Sequence, residues 1–359
     1  MKNIFIFVAA FMFTSVLFGQ DVGIIKYVPG DVDGFGLVNI KELAASPKFK
    51  DFVETNKDPK FNEFKDNLKL NGIDIYNAFS SGVFFFNSKS KKGGAVLKTS
   101  ISEANFNSML ANNKGAEGRQ VNKTVVNGKT VYSVDNAGKK SSFVYLKPDL
   151  IGCSELPEDV TALASVTEKD SAASNAKLMD YSSKINKNSM MSIVYDAKDS
   201  FSGMRQKQNQ EGKEGKGMQQ LFPIDNIQGG FMSLNLTGPG KDNLNIDTHI
   251  NCKDKGKAQL LTIQLQAMVM TYIPMISQGN NQLNDALMDA IKFSNDGHDI
   301  IIKADISSAL QEQIKKSTLN ASSNTFQPQI AGVKRKKNVK PDKIDDESAI
   351  GIPPPPASK

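Results

Sequence analysis

Short apolar runs with the two-residue period of β-strands recur along this chain, and segments with the i, i+3, i+4 spacing of helices stand between them. The predicted strands are 35–40, 81–86, 94–101, 124–126, 130–132, 142–146, 150–153, 191–195, 227–236, 244–250 and 299–302. Helical spacing follows Ser102 and Lys255 and recurs at Ile306, Leu310 and Ile314. Because short turns join most neighbouring strands, we expect an α+β fold of antiparallel sheet with helices packed on one face.

Two tight turns, Asn127-Gly128 and Asp296-Gly297, divide these segments. Both dipeptides favour the left-handed backbone that a two-residue turn requires, so each predicts a β-hairpin. The order strand, helix, hairpin, helix, hairpin, helix appears twice in outline, although the first copy has an extra strand pair. We therefore predict an internal duplication, with one α+β half over residues 21–170 and a second over residues 171–316.

The first 20 residues have the pattern of an export signal. Lys2 precedes an apolar run over residues 4–13 that is too short to span a bilayer, and Gly19-Gln20 supplies a small residue near the expected cut. We predict a cleaved signal peptide over residues 1–20 and a mature chain in the periplasm or outside the cell. The alternative is an uncleaved anchor helix.

Two further segments have no apolar period. Residues 205–220 are rich in Gln, Lys and Gly, which predicts a flexible loop within the second half. Residues 317–359 contain the basic run Lys334-Arg335-Lys336-Lys337 and a run of prolines at 353–356, which predicts a disordered tail. Such a tail either contacts the cell envelope or serves as a solvated spacer.

The composition is that of a globular exported chain, with 39% hydrophobic and 23% charged residues. The net charge is +6, and much of the excess lies in the basic tail. Since export makes nucleic acid an improbable partner, we expect an unknown envelope protein or lipid instead. The apolar segment 260–276 contains Gln264, Gln266 and Pro274. It therefore predicts a buried core helix, and we expect no transmembrane segment in the mature chain.

The two cysteines of the chain, Cys153 and Cys252, each follow a strand-like run. In an oxidising compartment they are candidates for one disulfide bond. That bond needs Cα atoms about 4.4–6.8 Å apart, and the alternative is two separate buried thiols.

A local match to a calcium-binding loop begins at Asp31. Asp31, Asp33 and Glu42 occupy positions 1, 3 and 12 of such a loop, and Gly36 occupies position 6. Position 5 is Phe35, which supplies no side-chain oxygen. The alternative is a turn that leads into the first strand, and no other metal site is predicted.

The remaining candidates for chemistry are histidines and methionines. His249 falls on the polar face of a predicted strand and His298 beside a turn, and neither has the context of a known catalytic motif. We therefore predict no catalytic residue and no cofactor. Met268, Met270 and Met275 could line an apolar pocket, with ordinary core packing as the alternative.

Three motifs carry a resemblance to known proteins. They are Val28-Pro29-Gly30-Asp31-Val32-Asp33-Gly34-Phe35, Ser46-Pro47-Lys48-Phe49 and Asn127-Gly128-Lys129-Thr130-Val131-Tyr132. Together they resemble a group of exported bacterial proteins of unknown function with a "VPADA"-style opening and duplicated α+β halves. The resemblance extends over residues 24–315, and it implies the duplicated fold but no activity.

These patterns favour an exported, non-catalytic protein that is a binding or scaffold component of the periplasm or cell envelope. One alternative is a carrier that holds an apolar ligand in a methionine-rich pocket. A second alternative is a hydrolase whose site has no recognisable motif.

Overall fold

The computed structural model describes residues 21–112, 120–136, 139–197, 224–238 and 242–323. The predicted signal peptide, the predicted flexible loop 205–220 and residues 324–359 of the predicted tail lie outside the described residues. The final helix, Ser308–Ser323, extends beyond residue 316, the predicted end of the second half.

Within the described ranges the chain forms twelve strands and nine α-helices. The strands are β1 Gly34–Val38, β2 Phe79–Asn87, β3 Lys92–Thr99, β4 Gln120–Val126, β5 Lys129–Asn136, β6 Lys139–Lys147, β7 Leu150–Ser154, β8 Met191–Asp196, β9 Ile227–Thr237, β10 Asn243–Cys252, β11 Ile291–Asp296 and β12 Asp299–Ile306. The helices are α1 Ile40–Ala45, α2 Pro47–Thr55, α3 Pro59–Leu70, α4 Glu103–Asn112, α5 Pro157–Ser165, α6 Ala176–Lys184, α7 Lys255–Ser277, α8 Asn281–Ala290 and α9 Ser308–Ser323.

All twelve strands belong to one antiparallel sheet with the order β11-β12-β10-β9-β8-β1-β2-β3-β7-β6-β5-β4. The predicted α+β class is therefore confirmed. The Asn127-Gly128 turn joins β4 to β5, and both residues have positive φ, 49° and 74°. A hairpin at this point is what the sequence predicts.

The two halves of the chain arrange their strands in the same order, counted outward from the centre of the sheet. The series β1-β2-β3-β7-β6 in the first half corresponds to β8-β9-β10-β12-β11 in the second, and β5 and β4 are the extra pair. β1 and β8 pair with each other in the centre, so both halves contribute to one continuous sheet. The division at residue 170 stays a prediction.

Helices cover both faces of the sheet, whereas we expected them on one. Val144 of β6 and Leu163 of α5 belong to the largest apolar cluster. Side chains alternate along a strand, so Phe143 and Tyr145 point to the opposite face. There Phe106 of α4 packs on them, with ring centroids 5.3 Å from Phe143 and 5.8 Å from Tyr145. The expectation therefore needs correction.

The cause lies in the central strands, which are apolar on both sides. β2 contains Phe84, Phe85 and Phe86 in succession, so apolar side chains point to both faces of the sheet instead of alternating with polar ones. Phe85 is buried in the main cluster, while Phe84 lies on the other face, against the backbone of Gly36. A strand of this kind needs cover on both faces.

Candidate functional site

Helix α7 crosses the second half of the sheet and has well-defined ends. The Asp254 carboxylate accepts a hydrogen bond from the backbone N–H of Lys257 at 2.8 Å, which caps the start of the helix. At the other end Gln278 adopts a left-handed conformation, with φ 51°, and Gly279 follows with φ 81°. Such residues commonly terminate helices.

The inner side of α7 packs on two different supports. Near its start Leu261 packs in a cluster with Cys252, the last residue of β10, and with Ile300, the second residue of β12. Near its end Ile273 packs in a second cluster with Leu283 of α8 and with Leu310 of α9. The helix is thus fixed to the sheet at one end and to two helices at the other.

Only one side of α7 is buried. Of its 23 residues, the buried ones are Ala258, Leu261, Thr262, Ile273 and Ser277. Our expectation of a buried core helix over this segment is therefore wrong. The sheet and the neighbouring helices offer support to one side of the helix, and the other side is left exposed.

The exposed side of α7 is largely apolar, and Gln259, Gln266 and Thr271 are its exposed uncharged polar residues. Ile263 and Met270 are 63% and 58% exposed. They belong to a series at intervals of three and four residues, which consists of Leu260, Ile263, Ala267, Met270 and Pro274. Tyr272, Met275 and Ile276 are also exposed. We call Leu260, Ile263, Ala267, Met270, Tyr272, Pro274, Met275 and Ile276 the outer face of α7.

No charged residue occurs between Lys257 and Asp285. Among the described residues α7 is the one helix that is long and apolar enough to cross a membrane, with a mean hydropathy of 1.4 over its most apolar window. Only 22% of that window is buried. An exposed apolar surface on a folded protein is a candidate interaction site.

Lysines stand at the start of the outer face. Lys253, Lys255 and Lys257 are all exposed. Lys257 precedes Leu260 by three residues, so the two side chains lie on neighbouring parts of the helix surface.

Lysines also stand beside the end of α7, on helix α9. The Ser317 hydroxyl donates a hydrogen bond to the Ile276 carbonyl at 2.7 Å, and the Gln278 amide donates to the Ser317 carbonyl at 2.6 Å. Lys315 and Lys316, both exposed, directly precede Ser317. The uncharged outer face therefore lies between basic residues at its two ends.

The three methionines singled out in the sequence lie on this helix. Met270 and Met275 are on the outer face, and Met268 is half-buried. A shallow depression of about 370 Å³ among the described residues lies between α8 and α9, and Ala286 and Leu310 are among its lining residues. None of the three methionines lines it.

The two cysteines do not pair. Cys153 on β7 and Cys252 on β10 are both free thiols. Six strand-to-strand steps separate β7 from β10. At about 4.8 Å a step the distance is roughly 29 Å, far beyond the reach of a disulfide bond. Burial raises the pKa of the Cys153 thiol to about 11, and burial together with nearby Asp299 and Asp254 raises the pKa of the Cys252 thiol to about 11.

The calcium-loop hypothesis is also wrong. Asp33 lies before β1 and Glu42 lies after it, in α1, so the strand alone separates them by roughly 16 Å. Asp33 accepts a hydrogen bond from the Ser88 N–H at 2.7 Å, and Asp31 lies 3.7 Å from the Lys92 ammonium. Within the described ranges no group of three or more His, Cys, Asp or Glu residues is arranged to hold a metal.

The two histidines lie apart from the outer face of α7. The ring of His249 stacks on Phe231 with centroids 4.3 Å apart, and its Nε2 atom lies 3.3 Å from the Asp247 carboxylate. His298 is exposed in the turn between β11 and β12. Its carbonyl accepts a hydrogen bond from the Cys252 N–H at 2.9 Å.

The sequence contains a signal for the outer face that we assigned to core packing. Segment 260–276 has apolar residues on every side of the helix, a pattern shared by buried helices and by helices that contact lipid. Periodicity cannot separate these two cases, because both place apolar residues on every side. The separation requires knowing that the sheet supports α7 on one side only.

No family model matches the chain, and no curated protein matches it in sequence. Solved structures of the protein TP0453 resemble it in fold. Crystal form III is 11% identical with a TM-score of 0.44, and the match covers 82% of this chain and 97% of that one. Crystal form IV is 11% identical with a TM-score of 0.42, and form I is 14% identical with a TM-score of 0.38. Both matches cover 82% of this chain and 96% of the other. A likeness at this level carries no conclusion about function.

Proposed function

We propose that this protein is an exported, non-catalytic component of the cell envelope that binds the surface of a lipid bilayer through the outer face of α7. The observation that carries the proposal is the exposed, uncharged apolar surface of a 23-residue helix whose other side is anchored in the fold. A location in the periplasm or outside the cell is part of the proposal and rests on the signal-peptide pattern.

The shape of the outer face favours lipid over a partner helix. At 3.6 residues per turn, the series that runs from Leu260 to Pro274 and the group of Tyr272, Met275 and Ile276 differ in mean direction by roughly two fifths of a turn. A straight partner helix contacts a narrow stripe and cannot follow this rotation. Acyl chains are fluid and can surround both parts.

The anchoring of α7 favours an orientation parallel to the bilayer. Leu261 and Ile273 are 0% and 3% exposed and fix both ends of the inner side. Crossing the membrane would expose these contacts, whereas lying in the interface leaves them intact. Ile263 and Met270 are 63% and 58% exposed, so each contributes about 1 kcal/mol on entering the acyl region.

Two of the three methionines that the carrier alternative requires, Met270 and Met275, belong to this same surface. Met270 and Met275 are 58% and 57% exposed, where they could contact lipid but do not enclose a ligand. Flexible, polarisable methionine side chains suit a surface that adapts to its partner.

A vesicle flotation experiment tests the proposal with the mature chain and vesicles that contain both neutral and anionic lipid. We expect the wild type to float with the vesicles and the double variant Ile263→Gln, Met270→Gln to lose most of this binding. The matched control is Leu70→Gln, Val125→Gln, at two apolar positions that are 77% and 72% exposed in the first half.

The control should bind as the wild type does. Equal losses in both double variants would contradict the proposal. The proposal would also be contradicted if the wild type did not bind vesicles and instead formed a stable dimer that the Ile263→Gln, Met270→Gln variant could not form. Circular dichroism of each variant establishes that it is folded.

A further inference from the structure

We infer that the outer face of α7 recognises a bilayer that carries anionic phospholipid headgroups, which the lysines at its two ends contact. This inference rests on the proposed function and adds the class of lipid. It follows from the separation between apolar and basic residues along one surface.

The basic residues lie where headgroups would be. A helix of 23 residues is about 34 Å long, so in a flat orientation both of its ends reach the same leaflet. Lys255 and Lys257 stand at one end, and Lys315 and Lys316 stand beside the other. Their flexible stems can lie along apolar surface while the ammonium groups extend to the phosphates.

The acidic residue nearest to the first lysines is engaged in the fold. The Asp254 carboxylate caps the helix through the Lys257 N–H. Asp299 accepts a hydrogen bond from the Asn251 amide at 2.6 Å. On α9 the exposed Glu312 offsets part of the charge of Lys315 and Lys316. Asp254 keeps its negative charge while it caps the helix, but Lys253, Lys255 and Lys257 outnumber it, so residues 253–257 carry three positive charges against one negative charge.

The test compares partitioning of the mature chain into phosphatidylcholine vesicles with partitioning into vesicles that contain about one third phosphatidylglycerol. We expect binding at least about tenfold tighter to the anionic vesicles, and a steep loss of that difference as salt is raised. The salt titration uses the wild type alone, so it stays informative even if a variant misfolds.

Three variants locate the effect. Lys255→Gln, Lys257→Gln should weaken binding to anionic vesicles by roughly tenfold and leave binding to neutral vesicles unchanged. The control Lys50→Gln, Lys69→Gln, at exposed lysines of α2 and α3, should change neither. A third variant replaces each residue of the run 334–337 with glutamine and measures the contribution of the tail.

The outcomes distinguish failure of the anionic-lipid inference from failure of the proposed membrane binding. Equal binding to both kinds of vesicle overturns the inference and leaves the proposed function standing. A loss confined to the variant of the tail also overturns it, because the tail would then be the anionic-lipid contact. Failure to bind either kind of vesicle overturns the proposed function itself.

Discussion

Replacing Leu260 or Leu261 with alanine removes the same atoms from adjacent positions of α7 but from opposite environments. Leu261 is 0% exposed and packs with Cys252 and Ile300, whereas Leu260 is 47% exposed on the outer face. Alanine suits a helix at least as well as leucine, so helix propensity does not oppose either change. The pair therefore separates the anchoring side from the exposed side.

The expected magnitudes follow from burial. Leu261→Ala removes a fully buried side chain and leaves a cavity, which lowers the free energy of unfolding by about 3 kcal/mol. Leu260→Ala removes a side chain that is already about half in water, so its effect on that free energy should be below about 1 kcal/mol. On a vesicle, loss of the remaining transfer free energy of Leu260 should lower the partition coefficient about fivefold.

Urea unfolding followed by circular dichroism measures the first effect, and vesicle flotation measures the second. We expect Leu261→Ala to lower the unfolding midpoint by about 1 M urea. Leu260→Ala should leave the midpoint nearly unchanged and reduce flotation. If Leu260→Ala destabilises the protein as much as Leu261→Ala, the outer face is covered within the protein and our reasoning is refuted.

Three further predictions concern the rest of the fold. Denatured protein should take up two alkylating groups without prior reduction, since Cys153 and Cys252 are unpaired. Native protein should react slowly up to about pH 9, because the thiol pKa values are about 11. Denatured protein that takes up neither group would indicate a disulfide bond. Gly36→Ala should destabilise the protein by about 1–3 kcal/mol, because a Cβ atom there would overlap the Phe84 ring and force it to shift, and an unchanged thermal midpoint would contradict that contact. Adding Ca²⁺ or a chelator should shift the thermal midpoint by less than about 1 °C, because Asp31, Asp33 and Glu42 do not form a calcium site. An ion that bound the native state would raise the midpoint at millimolar excess, and such a rise would contradict this prediction.

The hairpins are the part of the fold that the sequence predicts best, because their signals are local. Asn127-Gly128 and Asp296-Gly297 both form the expected turns, and Gly297 has φ 58°. The start of α2 is equally local, since the Ser46 hydroxyl accepts a hydrogen bond from the Phe49 N–H.

Features that depend on distant pairing could not be predicted in the same way. The separation of Cys153 from Cys252 follows from the order of seven strands, and nothing in the flanking residues encodes that order. The same holds for the outer face of α7. The sequence pattern of these residues predicts a buried helix, and their exposure becomes clear only from the positions of the elements that pack on Leu261 and Ile273.

The central pairing of β1 with β8 has a consequence for how the chain folds as it is synthesised. β1 is among the first ordered segments to emerge, and β2 can pair with only one of its edges. The other edge stays open until β8, in the second half of the chain, arrives. An apolar strand with an open edge is prone to pair with other chains. We therefore expect a fragment that ends before Met191 to aggregate, and the emerging chain to depend on holding factors until β8 completes the sheet.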